Sequence, residues 1–182
     1  LTEDIVGPSL GKEAINSGLL SFIIAFVIVL IYMLFYYNRA GGVANVALIV
    51  NVFFIMGVLA SLGAVLTLPG IAGIVLTIGM SVDANVLIYE RIREELSVGK
   101  GLKLAIRDGY QNAYSAIIDA NVTTLLTGVI LYTFGSGPIR GFATTLVIGI
   151  FTSLFSAIFI TRLIFEARLA KEQKVTFDTK LT

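Results

Sequence analysis

Two aspartates stand where carboxylates are expensive. Asp83 interrupts one apolar run and Asp119 opens another, and each begins the same tetrapeptide, Asp83-Ala84-Asn85-Val86 and Asp119-Ala120-Asn121-Val122. A carboxylate within the hydrocarbon region of a membrane costs at least ~2.5–3.5 kcal/mol on insertion scales, so its presence there points to work that needs an ionisable group. The chain has no His and no Cys. Ser-His-Asp hydrolysis, histidine zinc sites, thiol catalysis and disulfides are therefore excluded, and no redox compartment can be inferred. What two such carboxylates offer is proton relay, since low dielectric and a nearby like charge both favour the protonated form of a carboxyl group. A proton crossing the full membrane potential releases ~2.3 kcal/mol per 100 mV, enough to bias a conformational equilibrium more than tenfold.

Polar neighbours accompany both aspartates. Ser115, Asp119, Thr123 and Thr127 recur every four residues, as do Thr77, Ser81 and Asn85, and Gly79 leaves room for a facing helix one turn before Asp83. The candidate set is Asp83 and Asp119 as relay residues, with Asn85, Asn121, Ser115 and Thr123 as supporting polar groups. Two readings of the stripes stay open. A hydrated path requires such side chains, and so does bundle packing, where Ser, Thr and Asn bond across helices for about 0.6–2 kcal/mol. Asp119 lies nearer the interface, where a solvated or hydrogen-bonded carboxylate is the alternative to a functional one.

The elements that carry these residues follow from composition. The 182 residues are 57% hydrophobic and 14% charged, with a mean hydropathy of +0.93. Ordinary soluble domains carry about 25% charged residues, so a water-soluble globule is ruled out. Charged residues are absent from 14–38, 40–82, 120–139 and 141–161, runs of 25, 43, 20 and 21 positions. A crossing helix needs about 20 apolar residues, so the 43-residue run holds two. The reading is an all-α, polytopic membrane bundle with five spans at about 19–37, 43–67, 71–90, 115–134 and 141–163. Breaks fall at 38–42, at Pro69-Gly70 and at 135–138, where Pro and Gly permit turns. Residues 1–18 read as a turn-rich lead-in, 91–114 as a charged loop and 169–182 as a solvated tail or linker. Within the loop, Leu102, Ile106 and Tyr110 at helical spacing fit either an amphipathic helix on the membrane surface or a connecting helix packed on the protein.

Depth and orientation come from the same counting. Asp83 is seven residues before Glu90, or about 10 Å, and Asp119 is five after Tyr114, or about 8 Å, which places both at similar depth. One side of the membrane receives eleven of the 13 Lys and Arg residues, leaving Lys12 and Arg140 on the other. Cytoplasmic loops hold the excess, so the C-terminus is expected in the cytoplasm and residues 1–18 outside. The net charge of +1 carries no nucleic-acid signal. Leu1 in place of Met, with no basic stretch before the first apolar run, reads as a piece of a longer chain without a signal peptide.

Three stretches carry a family resemblance: Val6-Gly7-Pro8-Ser9-Leu10-Gly11, then Gly79 through Leu96 with its Val-Asp-Ala-Asn-Val-Leu-Ile-Tyr-Glu-Arg core, then Asp119 through Thr124 continuing to Phe134-Gly135-Ser136-Gly137-Pro138-Ile139-Arg140-Gly141-Phe142-Ala143. In this order they resemble the membrane region of the SecD family, auxiliary subunits of bacterial protein export within the RND-type proton-driven transporters. The resemblance implies six spans with a periplasmic domain after the first, of which this chain would hold the last five. It implies a multi-pass protein of the bacterial inner membrane that uses protons as coupling ion and no other cofactor. Implied partners are a SecF half, separate or fused, the SecYEG translocon, YajC and YidC, and the exported polypeptide through the absent domain. The family's proton-relay aspartate maps onto Asp83; Asp119 falls in a matching motif; and 175–180 read as a linker toward a fused SecF half. Competing readings are half of an RND-type exporter of lipids or small molecules, and a non-transporting scaffold whose aspartates pair with a partner helix. With no nucleophile–base pair and no metal cluster, the chain is not expected to be an enzyme.

Overall fold

The computed structural model describes residues 8–170 and Phe177, with side chains from residue 13 onward. Every regular element among them is helical: α1 Pro8–Ser61, α2 Leu68–Ser97, α3 Leu102–Phe134, α4 Gly137–Phe155, a π-helical turn Ser156–Ile160 and α5 Thr161–Ala170. Lipid imposes this, because backbone groups within the hydrocarbon must find partners in their own segment or in a closed barrel. Four helical rods are long and apolar enough to cross a membrane: Glu13–Ser61, Leu68–Ser97, Leu102–Phe134 and Gly137–Ala170.

The first rod crosses twice. Asn38 breaks it at φ 50° and ψ −119°, the one positive-φ residue other than glycine among the described residues. In a straight helix Leu30 and Asn45 would lie ~22 Å apart, yet Asn45 Nδ2 donates to the Leu30 carbonyl at 2.9 Å. The arms 13–37 and 39–61 therefore run antiparallel, and the bundle has five crossing segments. Gly41 makes the return this tight, for a Cβ there would strike the Met33 backbone.

Several boundaries differ from the sequence expectation. Residues 8–18 are already helical, with Pro8 at the first position, where its missing N–H has no intrahelical role. Residues 1–7, including Val6 and Gly7 of the first motif, lie outside the described residues. The turn between the second and third crossings is at 62–67 with Gly63 at φ 62°, not at Pro69-Gly70. Pro69 sits in the first turn of α2, behind a Thr67 cap whose Oγ1 accepts from the Gly70 N–H at 3.1 Å. No separate surface helix exists at 97–114. After a turn with Gly99 at φ 86°, α3 runs unbroken from Leu102 to Phe134. Its Ala105, Ile106, Gly109, Tyr110 and Ala113 are buried, so the packed reading of this segment is the right one. The turn before α4 is where it was expected, with Gly137 at φ 49°.

α2 is the hub. It runs parallel to α4, with Thr67, Gly73 and Thr77 against Gly141, Thr145 and Gly149 in turn, and antiparallel to α3, with Ile92 against Gly109. Small residues line these seams because helices in lipid gain from close backbone packing rather than from a hydrophobic drive. α3 and the first arm of α1, by contrast, leave broad faces open. At the cation-rich end Tyr37, Tyr89 and Phe165 form an edge-to-face cluster. Phe177 joins it with its ring centroid 5.3 Å from Phe165 and 5.7 Å from Tyr89. At this one point the tail is packed rather than solvated. The rest of the expected linker, 175–176 and 178–180, lies outside the described residues.

Candidate functional site

The close approach of α2 and α3 sets the carboxylates level. A Cβ on Gly109 would stand 2.8 Å from the Ile92 backbone nitrogen, so these two residues fix the register. From that contact Asp83 is nine residues along α2 and Asp119 ten along antiparallel α3. The two therefore share a depth to within about one residue rise, ~1.5 Å.

Both face outward. Asp83, Ser115, Asp119, Thr123 and Thr127 are exposed on the surface of the bundle, as is Gly79, where an added Cβ would meet nothing within 4 Å. Neither carboxylate has a hydrogen-bond or ion-pair partner among the described residues. The threonine hydroxyls do not reach them: Thr123 Oγ1 donates to the Asp119 carbonyl at 3.0 Å and Thr127 Oγ1 to the Thr123 carbonyl at 3.3 Å. This back-bonding satisfies each hydroxyl within its own helix and leaves the carboxylates for something else.

Asn85 and Asn121 do not join them. Two residues along a helix is a rotation of about 200°, so each Asp-Ala-Asn segment turns its acid outward and its amide inward. Asn85 is 0% exposed and Asn121 7%. They belong to an inner polar layer with Asn51 from α1, Ser81 from α2 and Ser153 and Ser156 near the π-turn, all buried. Ser156 Oγ donates to the Ala47 carbonyl and Asn121 Nδ2 to the Ile117 carbonyl at 2.8 Å. The Asn51 and Asn85 amides, Ser81 Oγ and Asn121 Oδ1 have no protein partner among the described residues. Thr77 and Ser81 fall in this layer too, so their stripe lies on the face of α2 opposite Asp83. Sequence reasoning missed Asn45, Asn51 and Ser156. Their only signal was a polar side chain in an uncharged run, which does not say which face it occupies.

The cation-rich end is knit by ion pairs. Glu90 takes Tyr37 OH and Arg93, both at 2.9 Å, so it is a packed partner rather than only a solvated helix end. Lys100 bridges Glu95 at 2.5 Å and Asp108 at 2.8 Å, and Asn112 donates to Glu95 at 2.7 Å. Lys100 and then Arg107 hold the Asp108 carboxyl below the ordinary carboxylate range, and Asp108 and Glu95 raise the Lys100 ammonium above its own. Among the described residues no three acidic or histidine side chains gather as a metal site.

The family model described as protein export membrane protein SecD/SecF, C-terminal, matches residues 1–170. The chain belongs to the SecD/SecF family. It is 59% identical over 166 residues to the protein translocase subunit SecD of Rhodothermus marinus, covering 91% of this chain and 27% of that protein. It is 58% identical over 161 residues to the subunit of the same name from Desulfurispirillum indicum, covering 88% and 31%. The crystal structure of SecDF, a translocon-associated membrane protein from Thermus thermophilus, superposes with a TM-score of 0.89 at 42% identity, over 93% of this chain and 24% of that one. A second SecDF structure, in a super-membrane-facing form, gives 0.83 at 43% identity. The chain thus spans about a third or less of its SecD/SecF relatives, and its described residues form helices of membrane-crossing length.

Proposed function

We propose that this chain is the membrane segment of a proton-motive-force-driven accessory subunit of the Sec translocon, assisting protein export across the bacterial inner membrane. Asp83 carries the relay and Asp119 is its second carboxylate. The observation that supports this reading is the pair of level, outward-facing carboxylates, without partners among the described residues, beside the open surface at Gly79. Charged groups on such a face call for a partner, and a SecF half, fused or separate, supplies the opposing helices. The excess of Lys and Arg puts the Arg39, 91–107 and C-terminal side in the cytoplasm. SecYEG, with YajC and YidC, completes the assembly in this reading, and the exported polypeptide is gripped by a domain outside this segment. No enzymatic step is involved, and the coupling ion is the proton.

The test is export at fixed proton-motive force in cells whose full-length subunit carries Asp83→Asn, with expression and insertion checked in parallel. Asparagine keeps the shape and cannot ionise. Lost stimulation with normal insertion is the expected result. Unchanged export refutes a relay at Asp83 and leaves a scaffold role for that position.

A further inference from the structure

At the cation-rich end a groove of about 610 Å³ lies between α3 and α5, its charged lining being the cations Lys103, Arg107 and Arg162 and one carboxylate, Glu166. A second groove of about 410 Å³ shares Arg107 and Arg162 and continues between Ile117, Ile158 and Phe159. Each volume falls within the ~300–1,000 Å³ range of small-molecule sites. The polarity changes along the path. Ile117 is ten residues from Arg107 along α3, ~15 Å, and Phe159 is three from Arg162, ~4.5 Å, so cations stand at the rim and apolar side chains lie deeper.

The guanidinium groups are only partly engaged. Arg107 gives Nε to Asp108 at 3.0 Å and Arg162 gives Nε to Glu166 at 2.8 Å. Their terminal Nη forks make no bond among the described residues, Lys103 has no carboxylate partner there, and Asp108 is itself shared with Lys100. Both arginine side chains are more than half exposed, at 66% and 52%. A guanidinium fork matches two oxygens of a phosphate, and its weak hydration suits the membrane interface.

We propose that the joined groove is a binding site for an anionic phospholipid, independent of the carboxylate face. The phosphodiester sits on the free forks of Arg107 and Arg162 with Lys103 beside it, and one acyl chain runs along Ile117, Ile158 and Phe159. The charge selects an anionic lipid over a zwitterionic one, and the apolar continuation selects a lipid over free phosphate. Basic pockets between membrane helices take anionic headgroups in this way.

The test is native mass spectrometry of the purified full-length subunit titrated with phosphatidylglycerol or phosphatidylcholine. Wild type is expected to retain phosphatidylglycerol preferentially. The preference should drop about fivefold for each cation removed in Arg107→Gln and Arg162→Gln. The Lys variants at both positions keep the charge, lose the fork and should fall between. Arg91→Gln, at the same end but outside the groove, should change nothing. Equal retention of the two lipids, an equal loss in Arg91→Gln, or displacement of the lipid by inorganic phosphate would each overturn the proposal. So would an Ile158→Cys protein, carrying a photoactivatable label, that crosslinks to a protein partner in membranes and not to lipid.

Discussion

Gly109 and Gly79 are both helical glycines near the candidate site, and alanine should act on them in opposite directions. Alanine is worth up to about 1 kcal/mol more than glycine in a helix interior. At Gly79 an added Cβ meets nothing within 4 Å, so Gly79→Ala should stabilise this segment by about 0.5–1 kcal/mol. At Gly109 the Cβ would lie 2.8 Å from the Ile92 nitrogen and 2.9 Å from its Cα. Those are backbone atoms, so the obstruction cannot rotate away and α3 must move. Overpacking of this kind costs about 1–3 kcal/mol, leaving a net loss of up to about 2 kcal/mol after the propensity gain. The two variants should therefore differ by roughly 1–3 kcal/mol in unfolding titrations of the purified protein by denaturing detergent. Gly109→Ala should also lower export, since moving α3 takes Asp119 out of level with Asp83. A Gly109→Ala protein stabilised as much as Gly79→Ala would refute the register on which the shared depth of the carboxylates rests. With a SecF half present, Gly79→Ala should instead weaken association, because the small residue lets backbones approach.

Two further outcomes follow from the interior and from the loop. Asn85→Leu removes a fully buried amide neither of whose atoms has a protein partner among the described residues. An unsatisfied buried group costs about 1–3 kcal/mol, so the variant should unfold at higher detergent; unfolding at lower detergent would mean that the amide is hydrogen-bonded in the membrane. Asp108, held below the ordinary carboxylate range by Lys100 and then Arg107, stabilises the loop at pH values above the unfolded pKa of about 3.9. That contribution fades as pH falls through the lower folded value. Amide exchange at 98–101 should stay protected until below about pH 4 in wild type. Asp108→Asn should lose that acid-dependent step, and an unchanged profile would rule out the Lys100–Asp108 bridge as its source.

Much of the architecture was legible because lipid is a demanding solvent. Uncharged runs of fixed length locate the crossings, and Asn38-Arg39-Ala40-Gly41-Gly42 marks a turn that the structure closes with a positive φ at Asn38. Proline misled, since Pro69 breaks a helix only from its interior and here opens one. The loop left two readings open for another reason. The spacing of Leu102, Ile106 and Tyr110 shows that one face is apolar, and it cannot show whether lipid or α2 covers it; Gly109 against Ile92 decides for α2. At the site, spacing gave the common depth of Asp83 and Asp119. It grouped Asn85 with Asp83 only because the two are close in the chain, although a spacing of two residues turns them to opposite faces. The inner layer drew on residues from four helices, Asn51, Ser81, Asn121 and Ser153 among them, which no single periodic pattern connects.

The separation of acids from amides bears on how such a half-bundle could do work. Two charged carboxylates facing lipid would cost about 5–7 kcal/mol together, comparable with the whole stability of a small domain at about 5–15 kcal/mol. A protein can meet that cost by keeping the acids protonated, by admitting water, or by covering them with opposing groups. Permanent protonation would leave Asp83 no more useful than asparagine, so the first route fits a scaffold and not a motor. A cover that accepts the charge in one arrangement and not in another makes protonation and helix packing depend on each other. The ~2.3 kcal/mol that a proton yields per 100 mV can then shift that packing. For the shift to be transmitted, the helices that carry the acids must not be held by the acids themselves. Here they are not: Gly109 on Ile92, Thr77 on Gly149 and Ser156 on Ala47 hold α1, α2, α3 and the last rod together from the inside. Asp83 and Asp119 stay on the outside, with no part in that packing and no partner among the described residues.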